Sequence, residues 1–417
     1  MATYNAPKPR YSGWTWAKFI AARLLFPPII WWDTLKLGMN HLLGEWAGEQ
    51  VLPAQKREFS SVAVSDGTVS TYNDVENQLT CEKHTVITHD NAKLDTFEIK
   101  HGTQQNKAPK YQRYIINLVG NAMCYEDIIP EMQKDAKALQ ANVVGFNLRG
   151  VRQSQGKPKS KSDLVTDGIA QVQRLLDQGV SPQNITLKGH SLGAGIASLV
   201  AKHFHQLGQP INVFNSRSFS SITNFVVGQL RLKRNELGNP ENGHTNTTGG
   251  IIAGWLLKPF IKLGVSLVKW EMNAGSAFNS IPEAYRDYIV VRTRKNSRHD
   301  SRDDITIPHY ASIHNELSAE RRKKKAALDK EINTLDKLIQ SGDPLAKHQL
   351  LSAKEKLIEA RERIKSDRKM EAAPQQNGHV TPWADLTNRS GKSARTFFRE
   401  FVKRTAEDHA VQIAPNH

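Results

Sequence analysis

Cysteine is scarce in this chain: 417 residues contain two, Cys81 and Cys124. That leaves no disulfide framework and no cysteine-rich zinc pattern, and it suits a reducing compartment. Acidic residues are also few, 41 against 57 lysines and arginines, for a formal charge of +16 and a pI near 9.7. Such a balance points to anionic surroundings, whether phospholipid, nucleic acid or acidic protein, without choosing among them. Clean long apolar runs are missing. The N-terminal "YSGWTWAKFIAARLLFPPIIWW" is broken as a span by Arg23 and Pro27-Pro28. No small-residue cleavage site follows it, so a cleavable signal peptide is not expected. Trp14, Trp16, Trp31 and Trp32 with Lys18, Arg23 and Lys36 fit an interfacial segment, or else an arm packed across the main domain. "IIAGWLLKPFIKLGVSLVKW" carries Lys258, Pro259 and Lys262, which argue against a span there too.

What is present is a globular composition, 39% hydrophobic and 24% charged. From Cys81 onward extended and helical patterns alternate. "HTVITHD" and "KLDTFEIKH", separated by Asp90-Asn91, predict a hairpin. "YQRYIINLVGNAM", "ANVVGFNLRGV", "NITLKGH", "PINVFNSRSF" and "YRDYIVVRTRK" read as further strands. Between them "EDIIPEMQKDAKALQ" and "DLVTDGIAQVQRLLDQG" have helical spacing. Nearly all-apolar strands alternating with helices predict an α/β fold with a mostly parallel sheet covered on both faces. Residues 1–50 then form an arm and 51–417 the main domain, with a cap or lid at about 220–284 and a charged helical hairpin at about 315–371. The hairpin follows from apolar faces Leu328, Ile332, Leu335, Ile339 and Leu350, Ala353, Leu357, Ile364, joined by "SGDP". Its basic run "RRKKK" at 321–325 reads as a solvated face before a phosphate-binding stretch or a localisation signal.

The sharpest signal is "ITLKGHSLGAGIASLVAKHF", an apolar strand running into an apolar helix through Gly189-His190-Ser191-Leu192-Gly193. A strand–turn–helix of this kind exposes a serine as a nucleophile, and small flanks are needed because the turn is strained. The helix N-terminus aims amide N–H groups at the charge that develops on an attacked carbonyl. Ser191 needs a base near neutrality, hence a histidine. His190 adjoins it, but a strand geometry turns that side chain away. His203 and His205 lie on the following helix, and His309 and His314 follow "DDITIP", the loop read below as carrying the acid, too closely to have crossed the last strand position. His379 follows a glycine and precedes a helix-like segment in "QQNGHVTPWADL", and the resemblance given below implies it as the base. Cys124 has no such turn around it and reads as a buried thiol. Arg149 and Arg152 read as an anionic-headgroup pair, or, for Arg149, as a structural ion pair.

These stretches resemble the α/β-hydrolase superfamily of serine lipases, esterases and thioesterases. "INLVGNAMCYED" is similar to its oxyanion-loop strand, "VVGFNLRGVRQSQG" to the strand and loop before the nucleophile, and "DDITIPHYASIH" to the loop carrying the acid. The resemblance covers about residues 80–220 and 285–310 with a short piece near 379. It implies Asp304 as the acid orienting His379, with Asp300 and Asp303 competing, and oxyanion amides from Leu192 and from Asn121 or Ala122. His379 lies 75 residues after Asp304, further than the family's usual spacing, and the helical hairpin accounts for the excess. The layout also resembles, through fewer residues, the SidB-type effectors that intracellular bacterial pathogens deliver into host cells. The implied activity is hydrolysis of an acyl ester, of a lipid or another hydrophobic substrate, with no cofactor or metal. Acyl transfer or thioester cleavage by the same residues, and a non-catalytic binding module on the same fold, are the alternatives. Expected partners are the ester substrate, an anionic membrane surface and a protein docking on the hairpin, with nucleic acid disfavoured. A cytoplasmic or peripheral membrane location follows from the same features, or delivery into a host cell.

Overall fold

The computed structural model describes residues 2–10, 28–235, 237–240, 246–291, 304–341, 344–364, 368–372 and 378–413. Trp14, Trp16, Lys18, Arg23 and Pro27 of the N-terminal stretch lie outside them, as do Asp300 and Asp303.

A nine-stranded sheet runs in the order β1-β2-β3-β5-β4-β6-β7-β8-β9. Its strands are β1 Ala2–Asn5, β2 Leu79–Ile87, β3 Lys93–His101, β4 Tyr114–Leu118, β5 Asn142–Phe146, β6 Ile185–His190, β7 Asn212–Ser216, β8 Arg286–Val291 and β9 Lys369–Ala372. The β2–β3 hairpin turns through Asn91, whose φ of 66° suits an asparagine. β3 runs antiparallel to β2 and to β5, and every later pairing from β5 and β4 across to β9 is parallel. This is the mostly parallel sheet expected of an α/β fold. β4, β5 and β7 are buried at every residue, as strands covered on both faces must be.

Helices cover both faces. α1 Pro28–Val51, α3 Lys161–Asp177, α4 Leu192–Gln206 and α7 Ala274–Asn279 contribute to one apolar cluster, which includes Leu164, Val172, Ile196 and Phe204. α2 Ile129–Leu139 and α10 Ala394–Ile413 supply Met132, Leu139, Phe398 and Phe401 to the other. α3 starts where Ser160 and Asp163 cap each other's backbone amides reciprocally. The later half of α1 is tied to the body, since the Trp270 indole donates to Gly44 O at 3.2 Å and Asn40 Nδ2 to Val268 O at 3.0 Å.

Two insertions leave the sheet. After β7 come α5 Ile222–Arg231, α6 Thr248–Leu267 and α7. After β8 come α8 Ile313–Ser341 and α9 Pro344–Arg363. These two pair antiparallel, since Asp329 meets Arg361 and Asp336 meets Lys354. The tail of the stretch read as hairpin, Lys369–Ala372, belongs instead to the sheet as β9, parallel to β8. It therefore returns the chain to the sheet shortly before His379.

Candidate active site

β6 ends at His190 and α4 begins at Leu192, so Ser191 alone makes the corner. Its backbone takes φ 52° and ψ −119°, a conformation that costs about 1–3 kcal/mol unless its surroundings enforce it. They do: its amide donates to Ser216 O at 2.9 Å, and its carbonyl accepts from the Ala194 and Gly195 amides at 3.1 and 3.2 Å. The flanking glycines are steric requirements. A Cβ on Gly193 would lie 2.2 Å from Leu118 O, and one on Gly189 would lie 2.4 Å from Ala194 Cα. The serine side chain takes no part in capping α4, which leaves its Oγ available to a partner.

That partner is His379. Its Nε2 lies 3.0 Å from Ser191 Oγ, and its Nδ1 lies 2.8 Å from Asp304 Oδ2. All three residues are buried. The other carboxylate oxygen, Asp304 Oδ1, accepts from the Thr306 and Ile307 amides at 2.9 and 2.8 Å. The acid is thus fixed in direction as well as in place.

The sequence reading missed one residue here. Arg217 follows β7 with a φ of 55° and is buried. Its Nη1 donates to Gly378 O at 2.7 Å and to Thr381 O at 2.8 Å, the carbonyls on either side of His379. Burial lowers its pKa to about 10, opposed by the nearby Asp304 carboxylate, so it stays cationic at neutral pH. One guanidinium therefore clamps the histidine loop. No spacing in "NSRSF" announces this, because the partners are backbone carbonyls 161 and 164 positions away.

His190 departs from expectation. Its ring does not turn away from the site: its centroid lies 5.0 Å from that of His379. Strand alternation gives the reason, since Lys188 and His190 share a face and both line the same cavity. Burial, and then the Arg217 charge, hold the His190 pKa well below its ordinary value. The remaining histidines stand elsewhere. His205 meets Ile211 O, and His314 meets the Tyr288 hydroxyl. Cys124 is fully buried and burial pushes its thiol up to about 12, which leaves no thiolate near neutrality. Arg149 is bound by Asp167 and Asp90 at 2.7 and 2.6 Å. Arg152 donates to Glu126 at 3.1 Å and stacks over Phe59. Both arginines are structural.

Leu192 opens α4, so its amide is among those with no acceptor inside the helix. The loop of Asn121 and Ala122 runs beside Ser191: a Cβ on Gly120 would lie 3.6 Å from Ser191 Cβ. The loop is pinned by the Ala54 amide on Asn121 O at 3.1 Å and by Arg57 on Ala122 O at 2.6 Å. A cavity of about 490 Å³ opens against His190 and His379, with Leu118, Met123, Ile128 and Trp383 among its apolar walls. That size accommodates a small organic ligand. None of its described walls comes from residues 220–284.

A family model described as Chlamydia CHLPS protein (DUF818) matches residues 14–206. Over 130 residues, 31% of the chain, the sequence is 26% identical to the multifunctional-autoprocessing repeats-in-toxin proteins of Vibrio vulnificus and Vibrio cholerae. The match spans only 2% and 3% of those toxins' lengths. Among solved structures, an α/β hydrolase from Vibrio vulnificus is similar at TM-score 0.41 and 19% identity, covering 59% of this chain and 75% of that one. An esterase of Pyrococcus furiosus is similar at TM-score 0.41 and 13% identity, covering 84% and 97%.

Proposed function

We propose that this chain is a serine hydrolase that cleaves acyl esters through an acyl-enzyme on Ser191. The observation that carries the reading is the continuous contact from Ser191 Oγ through His379 to Asp304, at 3.0 and 2.8 Å, between residues 188 and 75 positions apart. In the first step Ser191 Oγ attacks the ester carbonyl carbon while His379 Nε2 accepts the hydroxyl proton. Asp304 keeps the Nδ1 proton of His379 in place and stabilises the imidazolium that forms. The Leu192 amide, with that of Asn121 or Ala122, receives the oxyanion. As the tetrahedral intermediate collapses, His379 returns the proton to the departing alcohol. Water then attacks the acyl-enzyme with His379 again as base, releasing the acid and restoring Ser191.

The apolar walls beside His379 favour an acyl group over a sugar or peptide as the bound portion. Stopped-flow hydrolysis of p-nitrophenyl butyrate tests the reading. It predicts a burst of p-nitrophenol equal to the enzyme concentration whenever deacylation is the slower step, and an acyl adduct on Ser191 by intact mass. Turnover undiminished in Ser191→Ala would remove the proposal.

A further inference from the structure

α6 is out of keeping with the rest of the molecule. It spans 20 residues, contains an 18-residue window of mean hydropathy 1.4, and yet buries only Gly254. Gly254 sits against Val227 and Arg231 of α5, with a virtual Cβ 3.1 Å from Val227 Cγ1, so that side of α6 is pressed to the body. At about 100° per residue, Ile252, Leu256, Phe260 and Leu263 fall on the opposite side with Trp255 at its edge. All are exposed, Trp255 at 76% and Phe260 at 69%. A monomer in water rarely shows so long an apolar stripe without a use for it.

The charge around the stripe selects its occupant. Residues 248–267 contain no aspartate or glutamate. Lys262 is exposed on the helix, and Lys233 and Arg234 are exposed just after α5. Tryptophan and lysine bordering an aliphatic and phenylalanine stripe are what a headgroup–acyl boundary accommodates. We propose that α6 docks this protein onto an anionic membrane by lying in the interface with its Ile252–Leu263 side in the lipid. Crossing the bilayer is disfavoured by the body. The Thr247 side chain caps the N-terminus of α6, Lys258 Nζ donates to the Tyr310 hydroxyl at 3.0 Å, and the chain leaving the C-terminus dives into the core at Trp270 and Met272. α1 touches α6 near Val268 and adds Leu35, Leu42 and Trp46, also exposed. In placing the scissile ester at a membrane the inference rests on the esterase reading, whereas the docking itself does not.

The test is flotation of the full chain with phosphatidylcholine vesicles made with and without phosphatidylserine. Hydrolysis of a soluble p-nitrophenyl ester is followed in the same samples. Wild type should float with the phosphatidylserine vesicles and be released by a carbonate wash. Trp255→Ser/Phe260→Ser should lose at least about tenfold in partitioning while keeping its circular dichroism spectrum and soluble-ester turnover. Equal flotation of the variant, or none of wild type, would overturn docking through α6, and carbonate-resistant wild type would overturn the interfacial orientation. A wild-type dimer that becomes monomeric in the variant, with no vesicle binding, would assign the face to a second copy. Expected flotation without any soluble-ester turnover would leave docking standing and sink the esterase reading.

Discussion

Two apolar helices of comparable length meet opposite fates. α4 buries eleven of its 15 residues, whereas α6, more apolar over most of its length, buries one of 20. Composition cannot account for this. α4 follows a central strand, packs between the sheet, α3 and α7, and begins just after Ser191, whose backbone is held in a strained corner. α6 is reached through a long excursion from β7, and among the described residues α5, part of α1 and Tyr310 lie against it. The burial of α4 positions the Ser191 corner, and the exposure of α6 presents a surface. An apolar run thus acquires its role from what the topology sets beside it.

The comparison can be sharpened first at the head of α4. Ser191→Ala and His379→Ala should each lower kcat by about 10⁴-fold or more, because groups acting as a unit fail together. Steady-state kinetics on a soluble ester will check this. Asp304→Asn should cost about 10³-fold or more by leaving His379 in the wrong tautomer, measured in the same assay. Arg217→Ala should lower kcat by about 10- to 100-fold through displacement of the histidine loop. Its KM should change little, and Arg217→Lys should recover part of the loss, whereas a merely structural arginine would lower the melting temperature and spare kcat per folded molecule.

Next comes a contrast of glycines. Gly193→Ala must drive a methyl into Leu118 O, and it should destabilise the fold by about 3 kcal/mol in urea unfolding. Gly264→Ala in α6 meets nothing within 4 Å and should stabilise by about 0.5–1 kcal/mol. The smallest effect concerns Cys124. Burial raises its pKa to about 12, so the thiol stays protonated below that pH. Iodoacetamide at pH 8 should therefore leave ester turnover unchanged, read by activity after mass-verified treatment.

Much of this was legible in the sequence, for identifiable reasons. β4 to β8 announce themselves because strands buried on both faces are largely apolar, even though each keeps one or more buried polar residues. Ser191 is legible because its corner demands glycine on both sides. His379 could be picked from 15 histidines through the family resemblance, whose histidine likewise follows a glycine and precedes a helix-like stretch. What stayed hidden lacks such a constraint. β1 "ATYN" and β9 "KMEA" are four-residue edge strands with no apolar run, recruited by neighbours already in place. Arg217 acts on backbone carbonyls that any sequence would supply. His190 was misjudged by treating the strand face as remote from the site, although Lys188, two residues earlier, lines the same cavity.

The central claim is that Ser191 is an activated nucleophile, and intact-mass labelling with a fluorophosphonate tests it most directly. Wild type should gain one adduct, mapped to Ser191. Ser191→Ala should gain none, and His379→Ala should label far more slowly. Folded wild type that stays unlabelled both with and without vesicles, or an adduct on another residue, would contradict the account.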